Sequence, residues 1–404
     1  MIILVPLLGA TYTLLFAVVL IGTMIGFSWY AYTDMKMLVD AIYPSLSGIV
    51  LYMSLTYMNF IREERQKKQV RGAFSMYMSP ALVEKLADDP DLLRLGGEMK
   101  EMTLLFADIR GFTTISETYK EHPEALTEFI NKFLTPMTGV ILDRQGTIDK
   151  YMGDCIMAFW NAPLDDAEHP TNACDSALAM LKACDDVGVT VKAQAEERAS
   201  QARQTITAGR ERLEKGDSQA EEEIKSAEEM LMLAEKEREL TVKIGIGLNT
   251  DIVCVGNMGS DQRFDYSVLG DGVNLAARLE GQSKTYGVAV VLGEDTQKQV
   301  SDYACVELDL LQVKGQTRPT RIFGLLGDQG AALSSEFTTY KEQHDKLLLS
   351  YRAQEWDEAS NLSGKCRDLC SPWGNTGLYD LFDERIAEYR ENSPGDREGN
   401  WDGV

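Results

Sequence analysis

The chain has 404 residues, 44% of them hydrophobic and 25% charged, with a formal net charge of -23. That length accommodates more than one folded unit, and the acidic balance excludes nucleic acid as a partner, because phosphate backbones are gripped by clustered Lys and Arg. The seven cysteines form no CxxC pair and have no His at metal-ligand spacing, so they read as buried thiols of a reducing compartment.

No charged side chain occurs from Met1 to Thr33 or from Ala41 to Ile61. Each run is long enough to cross about 30 Å of hydrocarbon as a helix, so two transmembrane helices are expected over residues 1–61, surrounded by membrane lipid. Arg62, Arg65, Lys67, Lys68 and Arg71 follow the second run, whereas the loop from Asp34 to Asp40 carries a single Lys. The positive-inside rule then predicts a multi-pass protein of the cell inner membrane whose body is cytoplasmic. Residues 62–97 read as a signalling linker, with Phe74, Met78 and Leu82 at helical spacing and Pro80 redirecting the path.

The folded domain is expected to open with a strand, Thr103 to Ala107, ending at Asp108. A helix from Glu124 to Leu142 follows, with Phe129, Phe133, Met137 and Ile141 on one apolar face. Strands at Ile148–Tyr151 and Cys155–Trp160 flank a tight Met152-Gly153-Asp154 turn, and a second helix starts near Asp165. Further strands read at 241–248, 252–255 and 288–291, with a helix from Val273 to Ser283. This order predicts an α+β domain of the ferredoxin-like kind. Residues 185–240, charged and free of Pro, interrupt it as a helical hairpin turning at Lys215-Gly216-Asp217. Its second arm has a narrow stripe (Ile224, Ala227, Met230, Leu231, Ala234) suited to an interhelical or inter-chain contact. Residues 335–391 read as a helical appendage similar to a tetratricopeptide-like helix pair, and 392–404 as a disordered tail.

Asp108 and Asp154 stand at the ends of apolar strands, where a carboxylate has no packing value, and the topology brings those ends to one sheet edge. Paired carboxylates suit hard divalent cations; two such ions can activate an attacking oxygen and neutralise a leaving pyrophosphate. The amides from Ile109 to Phe112, turning at Gly111, are a candidate phosphate cradle. Asn274 and Arg278, at i and i+4, share a helix face and offer an amide for a ribose oxygen and a fixed cation for phosphorus. Lys150 and Lys314 are further cations within apolar strands.

Together FADIRGFT at Phe106–Thr113, the Lys150-x-x-Gly153-Asp154 hairpin and LGDGVNLAARLE at Leu269–Glu280 resemble the class III nucleotidyl cyclase catalytic domain, over about residues 98–328. The resemblance implies a head-to-tail homodimer with active sites at its interface. One chain would supply Asp108, Ile109 and Asp154 to two Mg2+ (or Mn2+) ions, with Phe112 on the substrate side. Its partner would supply Lys150 and Ser267 for the adenine ring and Asn274 and Arg278 for the transition state, while Lys314 falls where the family has a lysine for the triphosphate. The implied reaction converts ATP to 3',5'-cyclic AMP and pyrophosphate. A guanine reader needs an acidic residue at the Lys150 position, whereas Lys150 can donate to adenine N1 and Ser267 can accept from the 6-amino group. The alternatives are a guanylate cyclase and a catalytically inactive scaffold. Asp251 stands where the family usually has glycine, Lys243 replaces a common arginine, and the hairpin at 185–240 is longer than usual. A hydroxyl residue at the Ser267 position marks a bacterial subgroup, some of whose members respond to bicarbonate. The amino-terminal part resembles the spans of cyclases carrying CHASE-type sensors.

Overall fold

The structure, a computed structural model, describes residues 4–74, 96–260, 263–311, 319–392 and 394, and divides into the units Met1–Asp89 and Pro90–Val404. Met78, Pro80, Leu82, Lys314 and, apart from Asn392 and Pro394, the tail expected to be disordered lie outside the described residues.

The first unit is a pair of helices, α1 (Leu4–Thr33) and α2 (Ile42–Phe74). Asp40 ends the turn between them by accepting from the Ile42 amide (2.9 Å), an N-terminal capping role for a short acidic side chain. The expected transmembrane helices, and with them the multi-pass inner-membrane placement and the lipid surroundings, are overturned. Among the described residues no helix is long and apolar enough to cross a membrane. Lack of charge in these runs is not the same as apolarity. Ser45 and Ser47 bond back to helix carbonyls, Thr23 does likewise in α1, and α2 runs on without a break into Arg62 and Arg65.

The second unit follows in the order β1 (Gly96–Ile109), α3 (Phe112–Thr118), α4 (Pro123–Leu142), β2 (Thr147–Met152), β3 (Cys155–Trp160), α5 (His169–Glu214), α6 (Ala220–Glu239), β4 (Ile244–Ser260), β5 (Arg263–Leu269) and α7 (Asp271–Thr285). It continues with β6 (Val290–Gly293), α8 (Glu294–Gln299), β7 (Ala304–Leu311), β8 (Thr320–Gly327), α9 (Gln329–Ala332), α10 (Ser335–Arg352), α11 (Trp356–Leu369) and α12 (Thr376–Glu391). The strands form one sheet in the order β2-β3-β1-β4-β6-β8-β7, with β5 added on β4. Its β2-β3-β1-β4 half, crossed by α4 and α5, is the ferredoxin-like arrangement.

β1 is the central strand of that half, antiparallel to both β3 and β4. Both of its faces are covered, which is why Leu104–Ala107 is a continuous apolar run rather than an alternating one. Leu105, Ala107 and Ile109 pack with Phe133, Met137 and Ile141 of α4; Met102, Leu104 and Phe106 pack on the opposite side with Phe159, Val253 and Ala276.

The strands expected at 241–248 and 252–255 are a single strand, β4. Asn249 and Thr250, polar enough to suggest a turn between them, are buried but satisfied. Asn249 Nδ2 donates to the Gly272 carbonyl (3.1 Å), and the Thr250 hydroxyl bonds those of Thr103 (2.8 Å) and Thr296 (3.0 Å). The helix expected near Asp165 and the first arm of the hairpin are likewise one element, α5. Against it α6 lays Ala220, Ala227 and Ala234, facing buried Ala195, Ala199, Ala202 and Gly209. A Cβ on Gly209 would come within 2.7 Å of Ile224 Cγ1, so only glycine permits this approach. Ala227 and Ala234 of the hairpin's stripe are therefore spent within the chain, while Met230 stays exposed.

The helices α10–α12 share one core with the sheet: Phe337, Tyr340, Leu347, Leu378 and Phe382 pack with Val291, Val306 and Ile322. A polar chain runs through that core. Asn375 Nδ2 donates to the Tyr340 hydroxyl (2.7 Å), which is bonded to that of Tyr379 (2.6 Å). Tyr379 in turn meets His344 Nδ1 (3.0 Å), and His344 Nε2 reaches the Glu307 carbonyl of β7 (2.6 Å). A carbonyl only accepts, so Nε2 carries the proton; burial favours the neutral ring by lowering the His344 pKa. Tyr379→Phe removes the hydroxyl that links Tyr340 to buried His344 and is expected to cost about 1–3 kcal/mol, read as a lower urea midpoint at unchanged slope. An unchanged midpoint would show that the chain of bonds adds nothing.

Candidate functional site

The pairing of β1 with β3 ends at Ala107 opposite Ile156, and the β2–β3 turn closes on the Met152–Cys155 pair. Asp108 is thereby set beside the turn that carries Asp154. The turn needs a left-handed residue, supplied by Gly153 (φ 69°), and Gly111 (φ 70°) does the same where β1 leads into α3. The two carboxyls are close enough to interact directly. Burial first, then the charge of Asp154, a hydrogen bond to it, and the charge of Glu280 push the Asp108 pKa up to about 7. Burial and the same carboxylates push the Cys155 thiol up to about 12. Asp154 Oδ2 is buried with no hydrogen-bond partner.

Two acceptor-only carboxylates pressed together, one oxygen of which lacks a partner, form a donor set that a hard cation fits. Among the described residues no group of three or more His, Cys, Asp or Glu is placed to hold a metal, so a cation held by this pair would keep most of its shell for phosphate oxygens and water. The Ile109 side chain is buried in the core, which leaves its main-chain carbonyl as the group it can offer. Phe112 opens α3 and packs partly buried on the same core.

Glu280 is the residue that sequence reasoning passed over. Its carboxyl is raised by burial, lowered by the Arg110 charge and raised again by Asp154, so it faces the aspartate pair. α7 can reach so far because β4 has no side chains in its way. A Cβ on Gly247 would lie 2.2 Å from Glu280 N and 2.3 Å from the Ala276 carbonyl, and one on Gly245 would lie 2.2 Å from Ser283 Oγ. The glycines of Ile244-Gly245-Ile246-Gly247 were the legible signal. Arg110, on the loop after Asp108, ties that loop to the far end of α7 by donating to the carbonyls of Ser283 (2.9 Å) and Val288. Asn274 and Arg278 are exposed on α7, one turn apart.

A second cluster lies at β2 and β5. The Ser267 hydroxyl donates to Asp149 Oδ2 (2.7 Å), and Lys150 Nζ stands 3.6 Å from Asp149 Oδ1. The structure thus brings Lys150 and Ser267 to one carboxylate. Of the departures noted above, Lys243 is exposed and its carbonyl accepts from the Arg110 amide (2.8 Å), and Asp251 fills the space beside Gly272, where a Cβ would come within 2.5 Å of it.

The profile of the adenylate and guanylate cyclase catalytic domain matches residues 97–327. Adenylate cyclase 1 of Rhizobium meliloti is 28% identical over 66% of this chain and 33% of its own length. The adenylate cyclase of Anabaena cylindrica is 29% identical over 55% of this chain and 36% of its own. The chain thus spans about a third of the length of these curated relatives. The crystal structure of the adenylyl cyclase CyaB from P. aeruginosa superposes with a TM-score of 0.42 at 29% identity, over 58% of this chain and 97% of that one. Because that profile takes in both aspartates, the turn between β2 and β3 and the glycine-seated α7, and more than half of the chain, the protein belongs to the adenylate and guanylate cyclase catalytic domain family.

Proposed function

We propose that the chain is an adenylate cyclase, forming 3',5'-cyclic AMP and pyrophosphate from ATP at a site completed by a second copy of itself. The observation that carries the choice of base is Lys150 standing beside Ser267: an ammonium to donate to adenine N1 and a hydroxyl able to accept from the 6-amino group. Two relatives called adenylate cyclases support it.

Asp108, Asp154 and the Ile109 carbonyl are the groups that would hold two Mg2+ or Mn2+ ions. Such ions, when bound, supply charge neutralisation at the phosphates and a lowered pKa for the ribose 3'-hydroxyl. The chain's own groups do the positioning. Of the amides from Ile109 to Phe112, that of Arg110 is taken by the Lys243 carbonyl and Ile109 lies in the β1–β4 ladder, which leaves Gly111 and Phe112 to face the phosphates, while Glu280 adds negative charge behind the aspartates. Asn274 and Arg278 come from the other copy, the first to orient the ribose and the second to meet charge that grows on the α-phosphate. Their exposure on α7 supports a role across an interface. Lys314 is assigned to the triphosphate.

Purified chain supplied with Mg2+ is expected to turn over ATP at least about tenfold more efficiently than GTP, the margin that a base-edge polarity mismatch gives at minimum. Equal or better use of GTP would make it a guanylate cyclase, and no turnover of either would make it a scaffold.

A further inference from the structure

The β2–β3 ladder is irregular at one point. Ile148 pairs with Ala158 and Lys150 with Met157, so Asp149 is an extra residue on β2 opposite no partner. Such a bulge turns a side chain out of its regular alternation. Here it aims Asp149 at β5, where Oδ2 takes the Ser267 hydrogen at 2.7 Å. Oδ1 faces Lys150 Nζ at 3.6 Å, and the carboxylate is only 1% exposed.

A serine hydroxyl has one hydrogen to give. With that hydrogen committed to Asp149, Ser267 presents only lone pairs to anything docking beside it. Those lone pairs attract the 6-amino group of adenine and repel O6 of guanine or hypoxanthine. The Lys150 ammonium, held close to the same carboxylate, suits the bare N1 of adenine and opposes an N1–H. One buried carboxylate thus sets the polarity of Ser267 and attracts the Lys150 ammonium from 3.6 Å, a group that donates whatever stands beside it.

We propose that Asp149 is the positioning residue for purine choice: it makes Ser267 an acceptor, draws the Lys150 ammonium to the same side by charge, and does not itself touch the substrate. The proposal rests on the reading that Lys150 and Ser267 contact the base. Asparagine at this position can donate through its amide to Ser267 and free the hydroxyl hydrogen for an O6.

The test uses the full chain with ATP, inosine triphosphate (O6 and N1–H) and purine riboside triphosphate (bare N1, no amino group). In Asp149→Asn the ratio of kcat/KM for ATP over inosine triphosphate is expected to fall at least about tenfold, the size of one hydrogen-bond mismatch. The change should come through KM for ATP and improved use of inosine triphosphate, and the advantage of ATP over purine riboside triphosphate should shrink with it. A loss of kcat that is equal for all three nucleotides, with the ratio unchanged, would mean a merely structural residue and overturn the proposal. If Asp149→Asn fails to melt cooperatively, Ser267→Ala carries the same test, since it removes the hydroxyl that Asp149 orients; an unchanged ratio there overturns the proposal as well. Failure of the adenylate reading is separate, because it shows in the wild-type chain as no cyclic AMP or a preference for GTP.

Discussion

Asp108→Ala is expected to lower cyclic AMP formation by at least about 10³-fold, close to 4 kcal/mol of lost transition-state stabilisation. With Asp108 gone, Asp154 alone remains of the acceptor pair, and a cation would lose half of its charged ligands. Removing this charge has a second, opposite consequence for the fold. In the metal-free protein Asp108 is held beside Asp154 and partly out of water, with its pKa raised to about 7. A carboxyl whose folded pKa lies above its unfolded value binds the proton more tightly when folded, so stability declines as pH rises from about 4 to about 7, and the full penalty applies above that. Asp108→Asn removes the penalty. It is expected to add about 1 to 2 kcal/mol at pH 8, after allowing for the solvent screening of a half-exposed group, and clearly less at pH 5. Thermal melts of the metal-free proteins at the two pH values read this directly. An inactive variant with no gain at pH 8 would refute the crowded-carboxylate account, and one that keeps its activity would refute the metal assignment.

The other large effect is a recovery. Asp108→Ala and Arg278→Ala chains are each expected to be inactive alone. When mixed so that they exchange partners they should regain activity on the order of a quarter of wild type, since half of the pairs are mixed and each mixed pair rebuilds one of its two sites. Isolated heterodimers carrying two different affinity tags give the cleaner reading. A demonstrated heterodimer without activity would mean that Asp108 and Arg278 do not serve one site from different chains.

What could be read in advance, and what could not, follows from how local the forces are. β1 was legible because its segment covered on both faces, Leu104–Ala107, is apolar at every position, and the turn at Gly153 because glycine sits comfortably at positive φ. The hairpin was legible through its long charged run and the turn at Gly216. Glu280 was hidden, since a glutamate on a helix ordinarily faces water; it turns inward here because Gly245 and Gly247, more than thirty residues away in sequence, let α7 settle on the sheet. Asn249 and Thr250 misled because polar residues in a strand are inexpensive only when distant partners meet them, and those partners lie on β1, α7 and α8. Asp149 gave no signal of its own: a one-residue irregularity in a ladder turns it toward Ser267, and pairing register cannot be read from a single strand. The amino-terminal runs misled in the opposite direction, by lacking charge without being apolar enough to span a membrane.

The match to the family ends at residue 327, yet the apolar centre behind β6, β7 and β8 continues to Ile386. The family profile and the apolar core therefore cover different stretches of this chain. α10–α12 are part of that core, and Arg385 on α12 grips Asp309 together with Tyr286, the residue directly after α7. Any force on the carboxyl-terminal helices is applied, through that clasp, to the root of the helix that presents Asn274 and Arg278.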